Sequence, residues 1–296
     1  MVIKETIRIG NNFIEGLIPV FNIMDKISHA ENGEEITIDF ANATFVTPTF
    51  IIPLMIFLKG STHSFSEINE SEYLRTIKWR DGIAADNMRL PALKAILEGY
   101  STKTYIPIIN FPANENNEDI KNHILTAVEK LLIKQASIAP NVATGIKYLI
   151  GENVDNITQH SKSERGYIFA QAYPNKQYLD ICIADNGITL LGSYKENNDQ
   201  DIITDLEAIQ AANRGISTKN RPEAENRGYG IITSKKMLIT GLNGCFAMIS
   251  GGSMFIYNQN VNKFIDLPQG LKCPGTIVAM RVPYCNSDFN YINYVE

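Results

Sequence analysis

The stretch that decides the fold is ENVDNITQH, residues 152–160, which closes a helix predicted from about residue 142. Apolar residues with a period of about 100° per residue mark its buried face: Ile146, Ile150, Val154 and Ile157. Glu152, Asn156 and His160 recur every four residues and form a row oblique to that face. Asn156 and His160 are therefore expected at the rim of a cleft, whereas Glu152 reaches the same cleft only if the site opens on its flank.

This row of polar side chains suits metal and proton chemistry. Mg²⁺ prefers hard oxygen ligands and keeps several waters, so the amide oxygen of Asn156 together with phosphate oxygens would be sufficient to hold it. A carboxylate one turn away, that of Glu152, can orient or deprotonate an attacking water or hydroxyl. Taken alone, the two residues also fit ordinary polar positions at the edge of a helix.

Two further segments carry ligand chemistry. DNG, residues 185–187, ends a strand of alternating apolar residues, and its Asp185 can accept a hydrogen bond from an adenine amino group, with Gly187 permitting close approach. GYG, residues 228–230, begins a predicted helix whose free N–H groups favour phosphate, and Arg227 beside it can add charge-assisted bonds. Alone, the first segment is also a common turn and the second a flexible loop.

Together the three segments resemble the GHKL superfamily, the Bergerat-fold ATP-binding domains of histidine kinases, gyrase-type topoisomerases, chaperones and mismatch-repair ATPases. The resemblance covers roughly residues 113–285. Glu152-x-x-x-Asn156 matches the family's N box, which implies Glu152 as general base and Asn156 as the Mg²⁺ ligand. Asp185-x-Gly187 matches the next box, whose Asp recognises the adenine amino group. The implied cofactors are ATP and Mg²⁺.

The glycine pattern continues the resemblance and also departs from it. Gly228-x-Gly230 matches the family's later glycine box, which closes over the phosphates. Gly275-Thr276 resembles the terminal Gly-Thr, and this implies that the Thr276 hydroxyl joins the hydrogen bonds on the adenine side. The departure is Thr189, which stands where the family's Asp box carries a second glycine that serves lid flexibility and base packing.

A long polar segment, residues 191–226, is predicted to be either a functional lid or a disordered insertion. Its cations include Arg214, Lys219 and Arg221, and Arg227 adjoins them. One of these can contact a γ-phosphate, or all of them can be solvated charges interspersed with glutamates.

The compact chain and its Glu-x-Val-x-Asn-x-x-x-His pattern are most similar to the anti-sigma-factor serine/threonine kinase branch. In that branch the N-box Glu activates a protein serine, so the resemblance implies ATPase or serine/threonine kinase activity and a sigma-factor or STAS-type protein partner. The alternative is a non-catalytic ATP-sensing switch that binds such a partner, and a homodimer is compatible with either. His123 lacks the surroundings of a histidine-kinase phosphoacceptor.

The N-terminal third carries a weaker pattern. ITIDF, residues 36–40, followed by ATFVTPT, residues 43–49, resembles a STAS-like strand and the helix after it. The family's Asp-Ser phosphoacceptor pair is absent, and Thr47 or Thr49 lies near its place. A generic α/β strand–helix unit fits the same pattern.

The charge, the apolar runs and the cysteines of the chain limit the classes of protein to which it can belong. The formal net charge of -5 shows no electrostatic footprint for nucleic acid. The start of the chain lacks the apolar region of a secretory signal, and the longest apolar run, residues 50–58, is shorter than the ~20 residues that span a bilayer. The four cysteines show no C-x-x-C spacing and are expected to be reduced thiols. A cytoplasmic protein without membrane segments follows.

The expected fold is therefore α+β. A polar, Asn-rich stretch at residues 111–117 predicts a boundary between a smaller STAS-like α/β domain, residues 1–112, and an ATP-binding domain, residues 113–296. The second domain is expected to be a two-layer α/β sandwich of the Bergerat type, with helices on one face of a mixed sheet.

Overall fold

Two sheets hold the strands of the computed structural model, which describes residues 1–5, 13–43, 45–114, 118–197, 201–216, 230–284 and 289–294. Within these ranges helices and sheets are mixed, which is compatible with the predicted α+β class. The smaller sheet is parallel, with its second strand in the middle, and consists of β1 (Val2–Lys4), β2 (Ile36–Asp39) and β3 (Phe65–Ile68).

The larger sheet has eight described strands in the order β10-β9-β8-β11-β7-β6-β5-β4. Its neighbours are antiparallel except for the parallel pair β4 and β5. The strands are β4 (Ile83–Ala84), β5 (Tyr105–Pro112), β6 (Arg165–Tyr173), β7 (Tyr178–Asp185), β8 (Cys245–Gly251), β9 (Ser253–Tyr257), β10 (Asn262–Asp266) and β11 (Cys273–Pro283).

The helices lie in two layers around this sheet, with α7 and α8 at one end of it. Their bounds are α1 (Leu17–Ser28), α2 (Pro48–Gly60), α3 (Glu72–Thr76), α4 (Leu90–Gly99), α5 (Glu118–Gln135), α6 (Pro140–His160), α7 (Leu190–Glu196), α8 (Asp205–Asn213) and α9 (Gly230–Lys235). A π-helical turn, Lys236–Gly241, continues α9. None of the helices in the described ranges combines the length and the apolar character needed to cross a bilayer.

Both faces of the large sheet are covered by helices. Every residue of β7 is buried, and alternate side chains of a strand point to opposite faces. Ile181 and Ile183 join the core formed with α5 and α6, whereas Cys182 and Ala184 join the core formed with α1 and α2. Helices α5 and α6 lie on one face of the sheet as expected for residues 113–296, whereas α1 and α2 from the N-terminal part cover the second face, which the sequence did not predict.

The predicted boundary after residue 112 does not separate the two sheets. Strands β4 and β5 precede it and belong to the large sheet, where β5 pairs with β6 from Tyr105 opposite Gln171 to Pro112 opposite Arg165. The physical reason is that β5 is apolar on both faces, so it must be buried between two helical layers. Residues 1–112 thus supply part of the sheet to which the C-terminal strands belong.

Helix α2 begins at Pro48, whose fixed φ suits the first turn of a helix, and Thr47 before it is extended. The Thr47 hydroxyl does not cap the helix but hydrogen-bonds to the Thr49 hydroxyl at 2.9 Å. Both residues are at most 4% exposed, and a Cβ added at Gly16 would lie 2.3 Å from Thr49 Oγ1. Neither hydroxyl is accessible as a phosphoacceptor in this arrangement.

One ion pair is buried in the core between the sheet and the N-terminal helices. Asp180 on β7 and Arg281 on β11 are cross-strand neighbours, and both are nearly inaccessible to solvent. Arg281 donates from Nε to Asp180 Oδ1 at 2.7 Å and from Nη2 to Oδ2 at 2.9 Å, while its guanidinium lies over the Tyr178 ring. The fork geometry satisfies the carboxylate in a place that water does not reach.

Candidate functional site

A cavity of about 110 Å³ lies on the α6 side of the large sheet, where the carboxyl end of β7 meets the start of β11. Helix α6 forms one wall, α7 and the end of α8 form the other, and residues of β7, β8 and β11 form the floor. Four of the predicted site residues line it together: Glu152, Asn156, Asp185 and Thr276. His160 and Thr189 line the same cavity.

The remaining predicted site residues lie beside the cavity or outside the described ranges. Gly187 forms the turn after Asp185, and Gly230 is the first residue of α9, next to the lining residue Ile231. Arg227 and Gly228 lie outside the described residues, as do the lid cations Lys219 and Arg221. Arg214 is exposed at the C-terminal end of α8 and is not among the lining residues.

Helix α6 presents the polar row as the helical period predicts. Val154 and Ile157 are buried, while Glu152 and Asn156 are half-buried at the cavity. The site therefore opens on the flank that Glu152 needs. Asn153, which was not singled out from the sequence, is the more buried polar residue; it lines the cavity and donates from Nδ2 to the Leu149 carbonyl at 2.7 Å.

Asp185 is the buried charge of the floor, at 2% exposure. Gly187 N–H donates to its Oδ1 at 2.9 Å, and the Thr276 N–H also donates to the carboxylate. Burial raises the pKa of Asp185 to about 7, and the two N–H donors oppose that rise without cancelling it. The carboxyl group can thus switch between an acceptor and a donor near neutral pH.

Two glycines are needed because other backbone passes too close for a side chain. A Cβ at Gly187 would lie 1.9 Å from the Ser161 carbonyl oxygen, which accepts the Ile188 N–H at 2.7 Å. A Cβ at Gly275 would lie 2.2 Å from the Asp185 carbonyl oxygen, and Gly275 has a φ of +62°. The Gly-Thr that opens β11 thus lets that strand approach the end of β7.

Thr189 does not need to be glycine in this structure. Its φ of -72° and ψ of 171° form an extended conformation that any residue adopts. It is the N-cap of α7, where its side chain accepts the Gly192 N–H at 3.2 Å. The departure from the family pattern therefore fixes the start of α7 instead of loosening it.

Besides Asn153, sequence reasoning missed Ser250 and Tyr194. Ser250, near the end of β8, contacts the first residue of α7 and the Gly275-Thr276 segment of β11 through its hydroxyl. The signal was a polar residue on the apolar face formed by Phe246 and Met248. Tyr194 lines the cavity, is 2% exposed, and donates from its hydroxyl to the Ile216 carbonyl at 2.6 Å.

The side chains at the cavity decide which metal chemistry fits. In the part of the chain that the structure describes, no group of three His, Cys, Asp or Glu side chains lies close enough to hold a metal ion. Asn156 and Glu152 do offer oxygen atoms one helical turn apart at the cavity. This set fits a hard cation that takes most of its ligands from a bound phosphate and from water.

Comparison with known proteins does not assign the chain to a family. No protein-family model matches the chain. No curated protein matches it significantly. The interpretation of the cavity therefore depends on its own residues.

Proposed function

We propose that the chain binds ATP with Mg²⁺ in this cavity and acts as a regulatory ATPase or serine/threonine protein kinase of the anti-sigma-factor type. One observation carries the proposal: Glu152, Asn156, Asp185 and Thr276 come from segments far apart in the sequence and line one cavity. Glu152 and Asn156 are expected at the phosphate and Mg²⁺ end of the ligand, and Asp185 and Thr276 at its adenine end.

The base-binding end of the proposed site is the floor. The carboxylate of Asp185 is buried beside the Thr276 side chain, and its ionised form accepts hydrogen bonds. An adenine amino group supplies two N–H donors, so it would stabilise the ionised carboxylate that burial disfavours. The apolar lining residues Ile157, Ile188 and Met248 suit the faces of a base.

The phosphate end of the proposed site is the α6 wall. The amide oxygen of Asn156 would hold Mg²⁺, and Glu152, one turn earlier, would orient and deprotonate the nucleophile. When bound, Mg²⁺ would neutralise charge on the phosphate oxygens. Because Glu152 is only half-buried, a water or a protein hydroxyl can reach its carboxylate.

We also propose a fold type for each part of the chain and a class of protein partner. The antiparallel strands β6, β7, β8 and β11 with α5 and α6 on one face support a Bergerat arrangement within residues 113–296. A STAS-like origin for the N-terminal unit is supported only by the order of β2 and α2. The partner would be a sigma-factor or STAS-type regulator in the cytoplasm.

A second candidate function is a non-catalytic ATP-sensing switch. The observation that favours it is a separate small core, formed between α7 and α8 by Tyr194, Ile202, Ala208 and Ala211. This core borders the cavity through Tyr194, so a ligand can shift α7 and α8 as one unit without any chemistry.

Titration calorimetry and turnover assays with Mg-ATP test the proposal. Asp185→Ala should abolish binding, and Glu152→Gln should bind ATP but lose at least ~100-fold in turnover. The matched control is Asp155→Asn, on the same helix, where Asp155 pairs with Lys121 and does not line the cavity. It should leave both properties unchanged.

The outcomes separate the alternatives. Wild-type affinity in Asp185→Ala would refute the site, and wild-type turnover in Glu152→Gln would refute the catalytic role. Binding without ADP formation would establish the switch. Intact-mass analysis after incubation with a candidate STAS partner separates phosphate transfer, which adds a phosphoryl mass, from hydrolysis.

A further inference from the structure

Ser250 joins three parts of the cavity through one buried hydroxyl group. The side chain lies at the end of β8 and is 1% exposed. Its Oγ accepts the Leu190 N–H at 2.9 Å, donates to the Gly275 carbonyl oxygen at 3.1 Å, and lies 3.1 Å from Thr276 Oγ1. The first residue of α7 and the Gly275-Thr276 segment near the start of β11 are thereby held by one atom.

The protons in this network can be counted. A serine hydroxyl has one proton and two lone pairs. The Leu190 N–H can only donate, so it takes one lone pair, and the Gly275 carbonyl oxygen can only accept, so it competes with Thr276 Oγ1 for the single Ser250 proton. When that proton goes to the Gly275 carbonyl oxygen, the remaining lone pair of Ser250 accepts from Thr276, and the Thr276 proton is directed away from the cavity.

The consequence concerns what the floor offers to a ligand. With its proton given to Ser250, the Thr276 hydroxyl presents only lone pairs to the cavity that it lines. The neighbouring Asp185 carboxylate is also an acceptor when ionised. The floor then has two acceptors side by side and no side-chain donor between them.

We propose that Ser250 is a specificity-determining residue, which fixes Thr276 as an acceptor so that the floor selects a base edge bearing an amino group over one bearing a carbonyl. The proposal rests on the proposed nucleotide function. Ser250 itself touches no ligand and acts by positioning the Thr276 proton. A carbonyl oxygen at the same place would face lone pairs and would leave the buried acceptors unpaired.

ATP and ITP are the matched ligands for the test, because adenine carries an amino group where hypoxanthine carries a carbonyl. Calorimetry with Mg-ATP and Mg-ITP, at a pH well above the pKa of about 7 of Asp185 so that its carboxyl group only accepts, gives an affinity ratio for each protein. Wild type should favour ATP by at least ~10-fold, as expected when buried acceptors are left unpaired. Ser250→Ala should lower the ratio about tenfold, because the Thr276 hydroxyl can then turn and donate to the carbonyl.

Thr276→Val serves as the control background for Ser250→Ala and as an independent test of whether Thr276 is an acceptor. By removing an acceptor it should lower the ATP-to-ITP ratio, whereas removal of a donor would raise it. In the Thr276→Val background, Ser250→Ala should leave the ratio unchanged, since no hydroxyl remains to turn. The sign of the Thr276→Val effect tests the proposal even if Ser250→Ala does not fold.

The results that overturn the proposal are distinct from those that overturn ATP binding. An unchanged ratio in Ser250→Ala, an equal shift in the Thr276→Val background, or a raised ratio in Thr276→Val each refutes the role of Ser250. Wild-type protein that binds neither nucleotide refutes the nucleotide site and the specificity together. General loosening of the fold weakens both ligands and leaves the ratio as it was.

Discussion

Replacing Asp185 by Asn should change how the stability of the ligand-free protein depends on pH. Burial raises the pKa of Asp185 from 3.8 to about 7, so the folded state holds a proton that the unfolded chain has released. Stability is therefore lost as pH rises from about 3.8 to about 7, and the loss levels off above that range. Asparagine does not titrate and keeps an oxygen that accepts the neighbouring N–H groups.

The magnitude follows from the two pKa values. Each pH unit between them is worth about 1.4 kcal/mol, so complete ionisation of Asp185 costs the folded protein on the order of 4 kcal/mol. Between pH 5 and pH 8 the stability difference between Asp185→Asn and wild type should shift by about 2.5 kcal/mol in favour of the variant. Glu152 and His160 line the same cavity, but they are present in both proteins and cancel in the difference.

Urea denaturation of both proteins at pH 5, 6, 7 and 8 measures this difference without any ligand. A difference that stays constant within about 0.5 kcal/mol over this range would refute the reasoning, because Asp185 would then have the same pKa folded and unfolded. If the cavity takes an amino-bearing base, saturating Mg-ATP should flatten the wild-type curve, since the ligand favours the ionised carboxylate.

Three other perturbations test the fold around the cavity. Gly275→Ala should lower the free energy of unfolding by about 3 kcal/mol or more, because its Cβ would lie 2.2 Å from the Asp185 carbonyl oxygen. The control is Gly270→Ala, which also has a positive φ but lies in open space and should cost about 1 kcal/mol. Urea denaturation compares them, and equal losses would contradict the steric argument. Asp180→Ala should lower the free energy of unfolding by about 3–5 kcal/mol in the same assay, because it leaves Arg281 buried and unpaired. A decrease below about 1 kcal/mol would show that water reaches the pair. A fragment of residues 113–296 should aggregate or bind hydrophobic dye, because it lacks β5 and the N-terminal helices; a monomeric fragment that unfolds cooperatively would contradict this expectation.

The parts of the site that depend on local periodicity could be predicted from the sequence. The apolar stripe of α6 determines which way Asn156 points, and the alternation in β7 puts Asp185 on the same face of the sheet as Ile181 and Ile183. These relations need only neighbouring residues. The same is true of Pro48, whose fixed φ marks the start of α2.

The parts that depend on long-range contacts could not be predicted in this way. Nothing in the local pattern of β5 says that it pairs with β6, which lies beyond two helices in the chain. The role of Ser250 depends on Leu190 and Gly275 coming within hydrogen-bonding distance of one atom. The apolar composition of α2 on all sides did contain a signal for burial between two layers, which the assumption of a separate N-terminal domain obscured.

Coverage of the large sheet on both faces has a consequence for synthesis on the ribosome. Helix α2 is apolar on all sides, with Phe50, Ile52 and Leu54 fully buried, and it packs against β6, β7 and β11. These strands emerge from the ribosome long after α2, and β11 emerges last of the strands described. A nascent chain that ends before residue 273 thus lacks β11, which is part of the surface that buries the apolar helix α2. Folding must wait for nearly the whole of the described chain, and until then α2 is the segment that a chaperone would hold.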